Sequence, residues 1–430
     1  MTEQEAHALL ERAITQCHAD DAVLALHGVD EASTRFANST ITQSVARADA
    51  RLTVRVAFGN RVGIAQTNMF GEDALRETAR RAEEIARQSE PDTEYLPPVE
   101  PTLIRPVHAF DDNVPALSAS RRVRLATEAI RVVDSHGLSA AGSFTTATNF
   151  AAVLNSRGHF AYHRDTSVRL VCTAIGPTSS GWASAGSFRV CEVDPEEVAA
   201  TAAKKALAAA NPREANPKPM TVILEPAAVA ELLGFLAWSL DAKAADEGRS
   251  ALSGKLGERI GVPGLQVWSD PHEAECPACP FTDEGMPLPR VLWLEDGCLR
   301  NLALTRYWEQ ESGRQFTGMP ANLLMSGSEH GVDRLVRTTE NGLLVTRFWY
   351  IRYVDPMKLL LTGMTRDGLF QIRDGEVVGG VKNMRFNESP LRMLEKIVAL
   401  GRPECVWSYR PMMVPPMKVE AFTFSSATAF

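Results

Sequence analysis

The chain has 430 residues, 45% of them hydrophobic and 23% charged, with 45 Lys and Arg against 53 Asp and Glu for a formal charge of -8. These are the proportions of an ordinary globular protein with room for two or three domains, and the acidic balance argues against a broad phosphate-binding face and a nucleic-acid partner. No apolar run approaches the roughly 20 residues that span a bilayer, and the acidic start Met1-Thr2-Glu3-Gln4-Glu5 does not read as a signal peptide.

Apolar residues at Ala6, Leu9, Leu10, Ala13 and Ile14 predict a first helix over 3–19. Alternating stretches at 22–29, 33–37, 41–46 and 50–58 read as strands. Gly59-Asn60 is a hairpin signal into a returning strand at 61–67. A helix over 74–88 follows, and five prolines between Pro91 and Pro106 mark an irregular surface crossing. Next come a helix at 121–135 and a meander of 140–154, 158–165 and 166–175 turning at Asn155-Ser156-Arg157-Gly158. An alanine-rich helix at 195–210 precedes four prolines in 211–226, the best boundary between domains of 1–215 and 216–430. The second half opens with a strand at 220–224 and a helix at 226–246. Short β-like runs follow, punctuated by Asp296-Gly297, Asn341-Gly342, Asp367-Gly368 and Asp374-Gly375, with a late helix at 390–400. The expected fold is α+β: an N-terminal half with an antiparallel sheet and long helices, then a β-rich, antiparallel, barrel-like half.

Few motifs carry chemistry. Gly248 to Lys255 imitates a phosphate loop, but five residues separate Gly248 from Gly254 and Leu256 replaces the magnesium-binding hydroxyl. His159 and His163, on a strand, lie roughly 13 Å apart, too far for chelation. His272, Cys276 and Cys279 could ligate zinc, although no fourth donor is identifiable and Pro271, Pro277 and Pro280 forbid a helix there. An exposed loop with free thiols is the alternative. The seven cysteines are sparse and odd in number, so a reducing cytoplasm is expected.

Several short segments, in order, resemble one family along nearly the whole chain. They include Thr34-Arg35-Phe36-Ala37-Asn38-Ser39, Leu154-Asn155-Ser156-Arg157-Gly158, Leu224-Glu225-Pro226-Ala227-Ala228-Val229 and Leu252-Ser253-Gly254-Lys255-Leu256-Gly257-Glu258. Others are Pro280-Phe281-Thr282-Asp283-Glu284-Gly285, Gly368-Leu369-Phe370-Gln371 and Arg385-Phe386-Asn387-Glu388-Ser389-Pro390. The chain resembles the TldD/PmbA family of metallopeptidase-related proteins, once called modulators of DNA gyrase. Active members carry His-Glu-x-x-x-His on a helix just after the Pro-Ala-Ala segment, two imidazoles for zinc and a carboxylate to activate water. Here those positions fall on Gly234, Phe235 and Ser239, none of which can substitute. The family's third ligand is a cysteine near the C-terminus, a region where this chain has Cys405.

The resemblance therefore implies the PmbA/TldE branch. It implies no zinc in this chain, zinc in a TldD-like catalytic partner, and a heterodimer whose chamber holds unfolded or leader peptides by strand addition. The peptide contacts it suggests are Ser253, Gly254, Lys255, Arg385, Asn387 and Glu388. Two other readings stand beside it: an independent metallopeptidase at His272, Cys276 and Cys279, and a peptide-binding homodimer without catalysis.

Overall fold

The structure is a computed structural model that describes residues 1–407 and 410–427. The N-terminal half begins with α1 (Glu3–Ile14), where the Thr2 hydroxyl and the Glu5 carboxylate close a capping box. This helix stops at Ile14 rather than continuing to residue 19. Strands β1 (Asp21–Ala37), β2 (Thr40–Phe58), β3 (Arg61–Thr67), β4 (Ser139–Asn155), β5 (Phe160–Ile175) and β6 (Ser180–Ser187) follow, with helices α2 (Glu72–Gln88), α3 (Ala119–Ser135) and α4 (Pro195–Ala208). The strands form one antiparallel sheet ordered β3-β2-β1-β4-β5-β6.

Register explains the layering. Leu24 lies opposite both Val54 and Leu154, and Phe144 lies opposite Leu170. These even-numbered residues share a face, and the four helices bury it. The strands are longer than the sequence pattern suggests: 22–29 joins 33–37, 41–46 joins 50–58, and 158–165 joins 166–175. Polar residues such as Asp30 and Asp49, which read as breaks, sit exposed on unbroken ladders. The irregular segment between α2 and α3 straps the two halves together. Its Val99 carbonyl accepts from Asn155 Nδ2 at 2.8 Å, and its Pro97 carbonyl accepts from Arg306 Nη2 at 2.8 Å.

In the C-terminal half, β7 (Pro219–Leu224) feeds α5 (Pro226–Ser239). The single helix expected to residue 246 is broken, because the Asp241 carboxylate accepts the Ala244 N–H at 2.6 Å and caps a separate α6 (Ala242–Asp246). Beyond it lie β8 (Val267–Ser269), β9 (Val291–Glu295), β10 (Cys298–Leu299), α7 (Arg306–Ser312), β11 (Leu323–Met325), α8 (Val332–Arg337), β12 (Asn341–Asp355), β13 (Leu360–Arg373) and β14 (Glu376–Gly380). The chain ends with β15 (Met384–Glu388), α9 (Pro390–Glu395), β16 (Ile397–Leu400), β17 (Glu404–Trp407), β18 (Pro411–Val414) and β19 (Met417–Ala427). The late helix thus stops at Glu395, and residues 397–400 pair with β19 instead.

Strands β12, β7, β19, β15 and β13 close into a five-stranded barrel through the β12–β13 pairing. A second sheet runs β10-β9-β8-β11-β18-β17. The two are not wholly antiparallel, since β7 runs parallel to β12 and β11 parallel to β18. Helix α5 shares one core with both: Leu232, Leu233 and Leu236 pack with Val222 and Phe348 of the barrel and Val267 and Met412 of the sheet. A helix flanked on two sides must be apolar on most of its surface, as α5 is.

Two of the four Asx-Gly pairs are hairpin turns, with Asp296 and Gly297 at φ +50 and +72 and Asp374 and Gly375 at φ +50 and +80. The other two are not. Asn341-Gly342 opens β12, and Asp367-Gly368 is an irregularity inside β13. There a Cβ on Gly368 would lie 2.5 Å from Thr346 Oγ1, and Asp367 turns inward to Arg347. Among the described residues no helix is long and apolar enough to cross a membrane.

Candidate functional site

Helix α5 carries one charged residue, Glu231, among fourteen. Glu231, Gly234, Phe235 and Trp238 recur at three- and four-residue spacing, so they form one stripe. That stripe floors a cleft of about 430 Å³ whose other side is Phe348–Arg352 of β12 with Arg410 and Met412. Phe235 packs edge-on against Tyr353 with centroids 5.1 Å apart, and lies tilted against Trp238 at 5.9 Å. Tyr350, 62% exposed at φ +55, stands where the β12–β13 register slips between Trp349 and Arg352. Together the aromatic rings make a hydrophobic cleft with a polar floor.

The floor is electrostatically unusual. Glu231 Oε2 accepts the Phe348 N–H at 2.6 Å. Burial pushes its carboxyl up to about 7, against the pull of that hydrogen bond and of the positive Arg347 and Arg169. Arg347 is held by Asp367 at 3.0 Å, and its guanidinium lies over Trp182 at 4.8 Å and Trp349 at 5.6 Å. Asp367 also accepts from Ser180 Oγ at 2.8 Å. Thus β6 of the first sheet, β12, β13 and α5 meet at one charged knot. Lys205 of α4 adds a second link at the start of α5, pairing with Glu225 at 2.5 Å.

Gly234 and Phe235 line this cleft, and Ser239 does not; its hydroxyl bonds back to the Phe235 carbonyl at 3.0 Å. A Cβ at Gly234 would meet only the Met412 methyl at 3.8 Å, so the position has room yet offers no donor. These residues do not fit zinc: the stripe holds no imidazole, and its one carboxylate is tied to a backbone amide. Cys405 lines a different cleft of about 820 Å³, beside Glu225 and Pro226. Its thiol bonds that of Cys276, which lowers the Cys405 pKa and raises that of Cys276, burial raising the latter further.

The other sequence-derived residues scatter. His272 is 3.6 Å from Asp270 and bonds the Arg105 carbonyl at 3.2 Å, whereas Cys279 turns to the Phe281 carbonyl. Among the described residues no three His, Cys, Asp or Glu side chains could hold a metal ion. Ser253 accepts the Ser250 N–H, Gly254 takes φ +71, and Lys255 pairs loosely with Glu258 at 3.9 Å. Arg385, Asn387 and Glu388 lie on β15; Glu388 is buried and accepts the Thr423 and Ser389 N–H groups at 3.0 Å. Neither group lines the α5 cleft. His159 is a fastener: its Nδ1 accepts the Thr102 N–H at 3.2 Å, so Nε2 donates to the Gly285 carbonyl at 2.9 Å. Sequence reasoning missed Glu231, although a lone carboxylate in an apolar helix was a readable signal.

Residues 22–86, 111–210 and 217–426 match, in that order, domain 1, the central domain and the C-terminal domain of the PmbA/TldA metallopeptidases. The chain is 24% identical to a metalloprotease of Methanothermobacter thermautotrophicus, covering 71% of each chain. It is 23% identical to the metalloprotease PmbA of Escherichia coli O157:H7, covering 82% of this chain and 81% of that one. The crystal structure of TldE from Thermococcus kodakarensis superposes with a TM-score of 0.86 at 17% identity, over 98% of this chain and 99% of the other. The shared fold extends along both halves.

Proposed function

The chain belongs to the PmbA/TldD metallopeptidase family, and from that premise we propose that it is the partner subunit of a zinc peptidase of the TldD/TldE type, without catalytic chemistry of its own. The observation that carries the reading is the α5 stripe. Where active relatives would place His, Glu and His, this chain has Gly234, Phe235 and Ser239, and the nearest acid, Glu231, is committed to the Phe348 amide. A cleft without an imidazole pair for zinc can still bind. Its rings at Phe235, Trp238, Trp349 and Tyr350 offer apolar contact to side chains of an unfolded or leader peptide.

In this reading zinc resides in a TldD-like chain, the two subunits form a heterodimer, and the peptide extends across both. The exposed ridge of Trp349, Tyr350, Tyr353 and Met357 on the β12–β13 ribbon is the part of this subunit best suited to meet that chain. Ser253, Gly254, Lys255, Arg385 and Asn387 remain proposed peptide contacts on the outer surface, whereas the enclosed Glu388 is better suited to holding β15 and β19 together. The test is co-purification with a chain carrying His-Glu-x-x-x-His. We expect a 1:1 complex with one zinc per heterodimer and no zinc in this chain alone; stoichiometric zinc in the isolated chain would refute the reading.

A further inference from the structure

The face of the N-terminal sheet opposite its helices is not uniformly apolar. Register aligns Arg51, His27, Ala151 and His163 in one row across β2, β1, β4 and β5. Two residues further along the strands, Asp49, Val29, Asn149 and Asp165 form the adjacent row. A basic row therefore lies beside an acidic one on the same face. Both rows line a cavity of about 640 Å³, walled on one side by Cys279, Phe281 and Asp283 from the C-terminal half. The His27–Asp283 contact, at 3.0 Å, pins that wall to the sheet.

One corner of the cavity is polar and incomplete. The His163 side chain is only 4% exposed, and its Nε2 has no hydrogen-bond partner. Asp165 Oδ2 lies 3.7 Å from that nitrogen, too far for a hydrogen bond, while Oδ1 accepts from Asn149 Nδ2 at 2.8 Å. Burial lowers the His163 pKa to about 4, so the ring is neutral near pH 7 and can offer a lone pair. The Asp165 carboxylate, 30% exposed, has no cation beside it among the described residues, and with Nδ1 protonated the unpartnered His163 Nε2 is a second acceptor, so the corner suits an ammonium group. At the opposite end Arg51 forms no ion pair among the described residues and is exposed. Its guanidinium suits a carboxylate.

We propose that this cavity binds a free di- or tripeptide as its zwitterion, with the ammonium at Asp165 and His163 and the carboxylate at Arg51. Three strand spacings and two residues place the Arg51 and Asp165 Cα atoms about 16 Å apart. The two side chains close part of that span, and a peptide of two or three residues, about 7–11 Å when extended, bridges the rest. The site does not depend on the partner-subunit reading, because it uses no residue of the α5 cleft.

The test is calorimetric titration of the full chain with Ala-Ala, N-acetyl-Ala-Ala and Ala-Ala-amide. Saturable 1:1 binding of Ala-Ala is expected, weakened at least tenfold by blocking either end. Asp165→Asn and Arg51→Ala should each weaken it at least tenfold, while Val398→Ala, at an exposed position of β16 away from both clefts, should not. Arg51 is exposed, so its variant reports on binding even where Asp165→Asn fails to fold. No saturable binding of Ala-Ala, equal binding of the blocked peptides, or an unchanged affinity in Arg51→Ala would overturn the proposal.

Discussion

Replacing Glu231 with glutamine separates its charge from its hydrogen bond, since the amide oxygen can still accept the Phe348 N–H. The acid titrates near 7 in the fold against an ordinary 4.5, chiefly because burial disfavours the carboxylate. A raised pKa means the native state favours the protonated form. Its contribution to stability is therefore complete below about 4.5 and is lost as pH rises through about 7. The span corresponds to about 3 kcal/mol. Urea denaturation of wild type and Glu231→Gln across pH 5 to 8 measures the difference. The variant should gain on wild type steadily up to pH 7, by about 2–3 kcal/mol in total, and then run parallel. A stability difference that stays constant between pH 5 and 8 would refute the enclosed-acid account of the α5 floor.

Three further outcomes follow from the packing. Lys205→Met leaves the Glu225 carboxylate, 14% exposed, without its cation and should cost about 3 kcal/mol by denaturation; the Lys205→Met/Glu225→Leu double variant should recover much of it. Gly63→Ala would place a Cβ 2.0 Å from the Ala82 carbonyl oxygen in α2, so the helix must shift, with a loss of about 3 kcal/mol measured the same way. Phe144→Ala, at a fully buried site between β4 and the helices, should cost about 3–5 kcal/mol, and a cost below 1 kcal/mol would contradict the layer assignment.

The architecture was legible because its signals are local. Alternation at 50–58 and the glycine at the Gly59-Asn60 hairpin are properties of a few neighbouring residues, and both appear in β2 and its turn, where Gly59 takes φ +57. The break after α5 was less visible, since Asp241 reads equally as a polar helix position until its carboxylate is seen capping Ala244. The Asp367-Gly368 pair misled for a related reason. A positive φ is needed at a bulge as at a hairpin, and the sequence does not distinguish the two.

The sites were harder to read because they are assembled from distant parts. Glu231, Arg347, Asp367 and Ser180 meet only once β6, α5, β12 and β13 are packed, and no spacing announces it. The row of Arg51, His27 and His163 depends on the register of β2, β1, β4 and β5, which a shift of one residue would scatter to the other face. What the sequence did carry is chemistry by residue type: Gly234, Phe235 and Ser239, the positions at which the resemblance implies a metal motif, offer neither imidazole nor carboxylate.

The central claim is that this chain completes a peptidase without performing the cleavage. The measurement that tests it most directly is hydrolysis of an unfolded peptide by the isolated chain, by a His-Glu-x-x-x-His partner chain, and by the two together. The account predicts no cleavage by this chain alone and chelator-sensitive cleavage by the mixture, abolished when the partner's glutamate is replaced. Chelator-sensitive cleavage by this chain in isolation would contradict it.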